Sequence, residues 1–164
     1  MTLDEKQALL QRLDSARGRL EALLPDVDPS REIYPGWTIR QLLAHISGWD
    51  DATIASLRAH VAGKPPATPA DRGINAYNAG TVCTRQDLDL DHVVKEWRAT
   101  REVLRRLIAE MPPDKFDGTL VVPWGPTGTV TELIDVFVEH EHEHAADIET
   151  WRQDPARPLT KSGS

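Results

Sequence analysis

The sequence lacks the features that mark membrane, secreted and nucleic-acid-binding proteins. No apolar run approaches the ~20 residues of a membrane-spanning helix, and the N-terminal stretch is charged and helical in pattern rather than signal-like. One cysteine in 164 residues excludes a disulfide framework and favours a reducing cytoplasm. Basic residues number 19 against 26 acidic ones, and the net charge of −7 disfavours nucleic acid or an anionic membrane as partner.

The chain also contains no internal repeat, no Gly-rich phosphate loop and no alternation of strand and helix patterns. Its hydrophobic content of 40% and charged content of 27% are typical of a globular protein. We therefore expect one domain over residues 1–164, with an irregular tail from about residue 154. The five tryptophans suit the walls of a pocket as well as a core.

Helical periodicity and capping patterns predict an all-α fold. Long amphipathic helices are expected over 3–24, 39–62, 90–111 and 130–153, with a short helix inside 70–86. Their starts are marked by the capping-box pairs Thr2–Glu5, Thr38–Gln41 and Thr129–Glu132, and by Asp89. The apolar seam of helix one includes Leu3, Leu10, Leu13, Leu20 and Leu24. The inward face of the short helix is expected to include Ile74, Tyr77 and Val82.

Connection lengths predict how these helices are arranged. The short first loop implies that helices one and two are antiparallel neighbours. The long crossover from helix two to helix three, which carries the short helix, lets those two run parallel. The expected fold is an up-down-down-up four-helix bundle.

The last helix carries three histidines at alternate positions, His140, His142 and His144. At ~100° per residue, His144 lies about 40° from His140 and Asp147 lies about 20° from it. His142 lies about 200° away, on the side expected to face water. The apolar stripe that contains His140 is formed by Leu133, Val136, Phe137, Ile148 and Trp151.

Two histidines spaced i, i+4 on one helical face can share a metal ion. His45, at the edge of the helix-two stripe, is the expected third ligand, because bundles build metal sites from facing helices. His60 is expected at the surface, and Cys83, the other candidate ligand, is more typical of a small buried hydrophobe. Three imidazoles suit zinc, nickel or iron, and an open position can lower the pKa of a bound water or bind a thiolate.

Several segments resemble the DinB/YfiT-like superfamily of metalloenzymes. They are GWTIRQLLAHISGW at 36–49 and the late HxxxH formed by His140 and His144. WDDATIASLRAH, INAYNA, EWRATR and FVEHEHEHAADI are most similar to its ClbS/DfsB-type branch. The resemblance implies a four-helix bundle with a water-accessible three-histidine metal site, and it gives the ligand role to His45, His140 and His144. Relatives in this superfamily include low-molecular-weight-thiol-dependent transferases and isomerases and small-molecule resistance proteins.

These observations together predict a cytoplasmic, metal-dependent enzyme that acts on a small electrophilic molecule by hydrolysis or thiol transfer. A divalent ion is the expected cofactor, with a low-molecular-weight thiol as candidate co-substrate. Trp49, Trp124 and Tyr77 are expected to line an apolar pocket, with Asn78 as a further candidate. Tyr77, Glu141 and Asp147 are the candidate catalytic residues; Asp147 would orient an imidazole or pair with an arginine or lysine. A homodimer is a candidate oligomeric state.

Three other interpretations compete with this one. Residues 140–144 also fit H-E-x-x-H, with Glu141 as the general base of a zinc protease, but no downstream third ligand follows. A metal-free bundle could instead sequester a small toxic molecule in a tryptophan-lined pocket. The histidines could also simply pack in the core. The Glu-rich outer face of the last helix is expected to be solvated surface.

Overall fold

Four long helices and a helical crossover make up most of the fold. The computed structural model describes residues 3–160, which form six α-helices and one two-stranded sheet. The helices are α1 (Leu3–Leu23), α2 (Ile39–Val61), α3 (Ile74–Cys83), α4 (Leu90–Ala109), α5 (Pro113–Phe116) and α6 (Val130–Trp151). A 3-10 turn over Leu24–Asp26 extends α1, and the antiparallel strands are β1 (Thr119–Val121) and β2 (Thr127–Thr129). Along this described stretch, every helix is too short or too polar to cross a lipid bilayer.

Side-chain caps fix the starts of the long helices where the sequence predicts them. The Gln41 Oε1 atom accepts the Thr38 N–H at 3.0 Å, and the Glu132 Oε2 atom accepts the Thr129 N–H at 2.8 Å. Asp89 accepts the backbone N–H of His92 at 2.9 Å. These bonds satisfy amide groups that have no partner within the first helical turn. The predicted Thr2–Glu5 box includes a residue outside the described part of the chain.

Ion pairs and ring contacts between helices show the predicted up-down-down-up order. Helix α1 runs parallel to α6, as the pairs Arg12–Asp135 and Arg19–Glu149 show. It runs antiparallel to α4, as the pairs Arg105–Asp14 and Arg98–Glu21 show. Helix α2 runs antiparallel to α6, as the pairs Trp49–Phe137 and His45–His144 show. The four long helices therefore form the bundle expected from the loop lengths.

A buried layer of charge divides the bundle core into two apolar clusters. One cluster contains Leu13, Trp49 and Leu104, and the other contains Leu20, Ile46 and Trp97. Between them lie four side chains of opposite charge, each at most 7% exposed: Arg17, Asp50, Arg101 and Glu141. We call these four residues the charged layer; each long helix contributes one of them.

Packing of the crossover against α2 depends on Gly48. A Cβ atom at Gly48 would lie 1.9 Å from the Thr81 Oγ1 atom of α3, so no larger residue fits without a shift. The Tyr77 hydroxyl donates to the Gly48 carbonyl at 2.5 Å, and the Trp49 indole donates to the Asn78 amide oxygen at 2.8 Å. These contacts seat α3 beside the middle of α2, where Gly48 and Trp49 lie.

The structure corrects several local expectations. Leu3, Val136 and Ile74 are 86%, 45% and 41% exposed, although each was predicted to face inward, and Cys83 is exposed rather than buried. Leu3 lies in the first helical turn, where no neighbouring element covers it. Helix α5 and the β1–β2 hairpin replace the single extended piece expected between the last two long helices. The hairpin turn uses Gly125 at φ 117°, a conformation that favours glycine.

Candidate metal centre

Three histidines from two helices converge at one point of the bundle. The Nε2 atom of His140 lies 3.1 Å from that of His45 and 2.9 Å from that of His144. His45 and His144 are 1% and 8% exposed, whereas His140 is half-buried. Spacing i, i+4 puts His140 and His144 on one face of α6, and the antiparallel packing of α2 brings His45 opposite them. The structure thus brings the three predicted residues together.

This donor set fits a divalent ion. Ligand bonds of ~2.1 Å place neighbouring nitrogens about 3.0 Å apart at right angles and about 3.4 Å apart at the tetrahedral angle. The observed separations of 2.9 and 3.1 Å match neighbouring ligands of one ion. One ligand atom from each histidine lies within 4.8 Å of the others, and imidazole nitrogen suits zinc, nickel and iron.

Tyr34 links the histidine group to Asp147. The Tyr34 hydroxyl donates to the Asp147 Oδ2 atom at 2.5 Å and lies 2.8 Å from the His144 Nδ1 atom. Because its proton goes to Asp147, the phenol oxygen accepts from Nδ1–H of His144. The Nε2 lone pair of His144 then points toward the other imidazoles. Burial raises the pKa of Tyr34, and the hydrogen bond to Asp147 adds to the shift.

The link through Tyr34 was missed at the sequence level. Asp147 was expected to contact an imidazole or a basic side chain directly. In residues 3–160 it makes no ion pair and reaches His144 through the phenol. The missed signal is Tyr-Pro-Gly-Trp at 34–37: Gly36 has φ 77°, and the Trp37 N–H bonds the Tyr34 carbonyl at 2.8 Å. Pro followed by Gly is typical of a type II turn, which here places Tyr34 beside the start of α2.

An apolar cavity of about 250 Å³ opens beside His140. Its walls are Trp49, Ile74, Trp124, Val136 and Phe137, and its polar lining is Glu139, His140 and Glu143. The ring centroids of Trp49, Trp124 and Phe137 lie 5.7–6.2 Å apart. The two predicted tryptophans therefore line the cavity. Tyr77 packs behind Trp49, with ring centroids 4.7 Å apart, and is not among the lining residues.

Two of the candidate catalytic residues are engaged elsewhere. Burial, with the nearby Asp51 carboxylate, raises the pKa of Tyr77 to about 12, so this phenol stays protonated at neutral pH. Glu141 is 1% exposed and lies inside the bundle. Its carboxylate accepts from Arg17 at 2.8 Å and from Arg101. These contacts favour structural roles for both residues, and catalytic roles for them stay predictions.

His142 lies on the side of α6 away from His140 and His144. It is half-buried beside Arg19 of α1 and is not part of the three-histidine group. The outward phase predicted for His142 therefore agrees with its position, although α1 covers part of its ring. Cys83 is exposed on α3 and is likewise outside the group.

Sequence and structure comparisons identify the family. The DinB superfamily model matches residues 29–148, and the chain belongs to this family. The fold is similar to that of a mycothiol-dependent maleylpyruvate isomerase, with a TM-score of 0.73 and 16% identity, over 90% of this chain and 61% of that one. A variant of that enzyme, with one histidine replaced by alanine, gives a TM-score of 0.72 and 15% identity over the same shares.

Coverage and sequence identity decide which conclusions the structural similarity supports. The chain spans 61% of the length of the isomerase, and at 16% identity the likeness shows the fold alone. No curated protein sequence matches the chain. The finer assignment to the ClbS/DfsB-type branch stays a prediction.

Proposed function

We propose that this chain is a metal-dependent enzyme in which His45, His140 and His144 hold a divalent ion and act on a small electrophilic molecule. The observation that carries the proposal is the convergence of three Nε2 atoms, 2.9 and 3.1 Å apart, beside an apolar cavity. Two of the imidazoles are buried. An ion at their meeting point would be held by three neutral imidazole nitrogens, which is a donor set typical of divalent metal sites.

Some residues of the site would hold the metal ion, and others would form the walls of the substrate cavity. When bound, the ion supplies positive charge and open positions that stabilise an anionic nucleophile. His45 and His144 anchor the ion from the buried side, and Tyr34 keeps His144 in the tautomer that presents Nε2. His140 lines the cavity and therefore faces the substrate. Trp49 and Trp124 exclude water from the space where the reaction would occur.

A low-molecular-weight thiol is the proposed co-substrate, and thiol transfer the proposed reaction, with hydrolysis as the alternative. The similar isomerase is mycothiol-dependent by name, which supports a thiol-linked reaction on this fold. A thiolate is an anionic, soft nucleophile, which a cationic zinc, nickel or iron centre favours. We place the protein in the cytoplasm, where such thiols are kept reduced. We further propose that residues 1–164 act as a single domain of the ClbS/DfsB type.

A metal-free sequestering protein is the second candidate. It is favoured by the apolar cavity and by the positions of Tyr77 and Glu141, neither of which lines it. A protein of this kind needs only shape and apolar surface to retain a small molecule. Under this reading the three histidines would be packing residues, and their replacement would leave ligand binding unchanged.

Turnover of an electrophile panel separates the two candidates. Aryl halides, epoxides, activated double bonds and activated esters are incubated with protein, with and without mycothiol, glutathione or bacillithiol. We expect turnover in metal-loaded protein and loss after chelation or in His140→Ala, with His142→Ala as the matched control. Ligand retention without turnover, unchanged by His140→Ala, would instead support the sequestering protein.

A further inference from the structure

The polar side chains that line the cavity indicate which charge a bound ligand would carry. We propose that the cavity selects aromatic molecules that carry a positive charge, such as an ammonium group, and disfavours anionic ones. This selection rests on the proposed function for its role in substrate choice, but it concerns a different part of the site from the metal ligands.

The body of the cavity is built for an aromatic or similarly flat apolar group. Trp124 stands at 78° to Trp49 and at 70° to Phe137, so three ring planes face the space from different directions. Edge-to-face contact with such rings favours an aromatic guest. The faces of indole rings also attract cations, especially alkylated ammonium groups. Both properties point to an aromatic ligand with an attached cation.

The solvent side of the cavity is negative. Glu139 and Glu143 are spaced i, i+4 on α6 and therefore lie on the same face as one another, flanking His140. Both are exposed, both line the cavity, and neither makes an ion pair in the described part of the chain. The lining contains no lysine or arginine over residues 3–160. Two carboxylates without a cation leave a place that an ammonium group on the ligand would fill.

The expected size of the effect follows from Coulomb's law. In water at low salt, one carboxylate about 4 Å from an ammonium group changes affinity about five-fold. Two such carboxylates at the rim of the cavity should favour a cation over a neutral isostere by up to about 25-fold at low salt, because the two effects multiply. An anion of the same shape should bind about as much more weakly than the neutral molecule. The preference should shrink in high salt because exposed charges are screened.

Three probes of similar shape test the selection: naphthylmethylammonium, naphthylmethanol and naphthylacetate. Their affinities are measured by titration calorimetry on the protein as purified and on a portion from which metal has been removed by chelation. The metal-free portion shows the effect of the two carboxylates alone, because no bound ion attracts the anion there. We expect the order cation, neutral, anion at low salt, and a smaller spread at high salt. In the double variant Glu139→Gln/Glu143→Gln the cation and the anion should approach the unchanged affinity of the neutral probe. Glu102→Gln, which removes one negative charge from α4 outside the cavity lining, should leave the order intact.

Equal affinities for the three probes in the parent protein would overturn the selection, as would an unchanged order in the double variant or no binding of any probe. Metal content, measured on the protein as purified before any ion is removed, separates this inference from the proposed function. One ion per chain without charge preference removes the selection and leaves the metal enzyme. The charge preference in a chain that binds no ion leaves the selection and removes the metal enzyme.

Discussion

Replacing Glu141 by glutamine tests the role of the charged layer. Arg17 and Arg101 each donate to both Glu141 and Asp50, so two positive and two negative side chains balance in a buried space. Arg17 also donates to the Trp97 carbonyl at 2.7 Å, which ties α4 to the layer. In Glu141→Gln the charged layer has one net positive charge, and its wild-type side chains are at most 7% exposed to water.

Glu141→Gln replaces only one oxygen by an NH2 group, but the free energy of unfolding should decrease substantially. Removing one partner of a buried ion pair costs about 3–5 kcal/mol, and the remaining amide oxygen of glutamine places this variant near the lower figure. For a chain of this size each kcal/mol shifts the melting temperature by about 2–4 °C, so a decrease of roughly 6–12 °C is expected at the lower figure. Thermal unfolding followed by circular dichroism measures it. Glu102→Gln, at an exposed site, is the matched control and should change stability by less than about 0.5 kcal/mol.

The same variant separates the structural role of Glu141 from the protease interpretation. If Glu141 were the general base of an H-E-x-x-H site, Glu141→Gln would abolish activity and leave the melting temperature nearly unchanged. A melting temperature within about 2 °C of the parent, a shift that corresponds to at most about 1 kcal/mol, would refute the argument from the buried charge.

Three variants and one titration test other parts of the structure. Tyr34→Phe should weaken zinc affinity about 10- to 100-fold, because His144 loses the acceptor that fixes its tautomer; equal affinity in a competition titration would contradict this. Gly48→Ala should destabilise the protein by about 1–3 kcal/mol through overpacking against α3, whereas Gly18→Ala, with open space around it, should stabilise α1 by up to about 1 kcal/mol. Tyr77 should ionise near pH 12, since its pKa is raised to about 12; the stability linked to its protonated form is complete below pH ~10 and is lost as the pH rises through 12. Tyrosinate absorbance from Tyr77 near pH 10 in the folded protein would contradict the buried position.

The helices could be predicted from the sequence because their signals are local. Capping pairs such as Thr129–Glu132 and the helical apolar period act within a few residues, and α2 and α6 begin where these signals place them. Loop lengths then restrict the topology. The ends were less accurate: α4 ends at Ala109 rather than 111, because the two prolines that follow prevent its last turn. The β1–β2 hairpin depends on packing, with Ser56 donating to the Val121 carbonyl at 2.7 Å.

The inward or outward direction of the α6 histidines could be predicted from their angular positions on the helix. The positions of the side chains around them depend on contacts with other helices and loops. The burial of Glu141 could not be predicted from α6 alone, because glutamate on a helix is usually solvated. Its burial depends on Arg17, which lies one turn from both Leu13 and Leu20 in the apolar seam of α1. An arginine inside such a seam indicates a buried acidic partner, and Arg101, between Trp97 and Leu104, gives the same signal on α4. Tyr34 comes from a turn, where helical periodicity carries no information.

The central claim is that three histidines hold one divalent ion. The most direct measurement is the metal content of protein purified without a nickel column, determined by elemental analysis on the parent and on His45→Ala, His140→Ala, His144→Ala and His142→Ala. We predict about one zinc, nickel or iron ion per chain in the parent and in His142→Ala, and a loss of most of that ion in each of the other three variants. A parent chain without a divalent ion, or an equal loss in His142→Ala, would contradict the account.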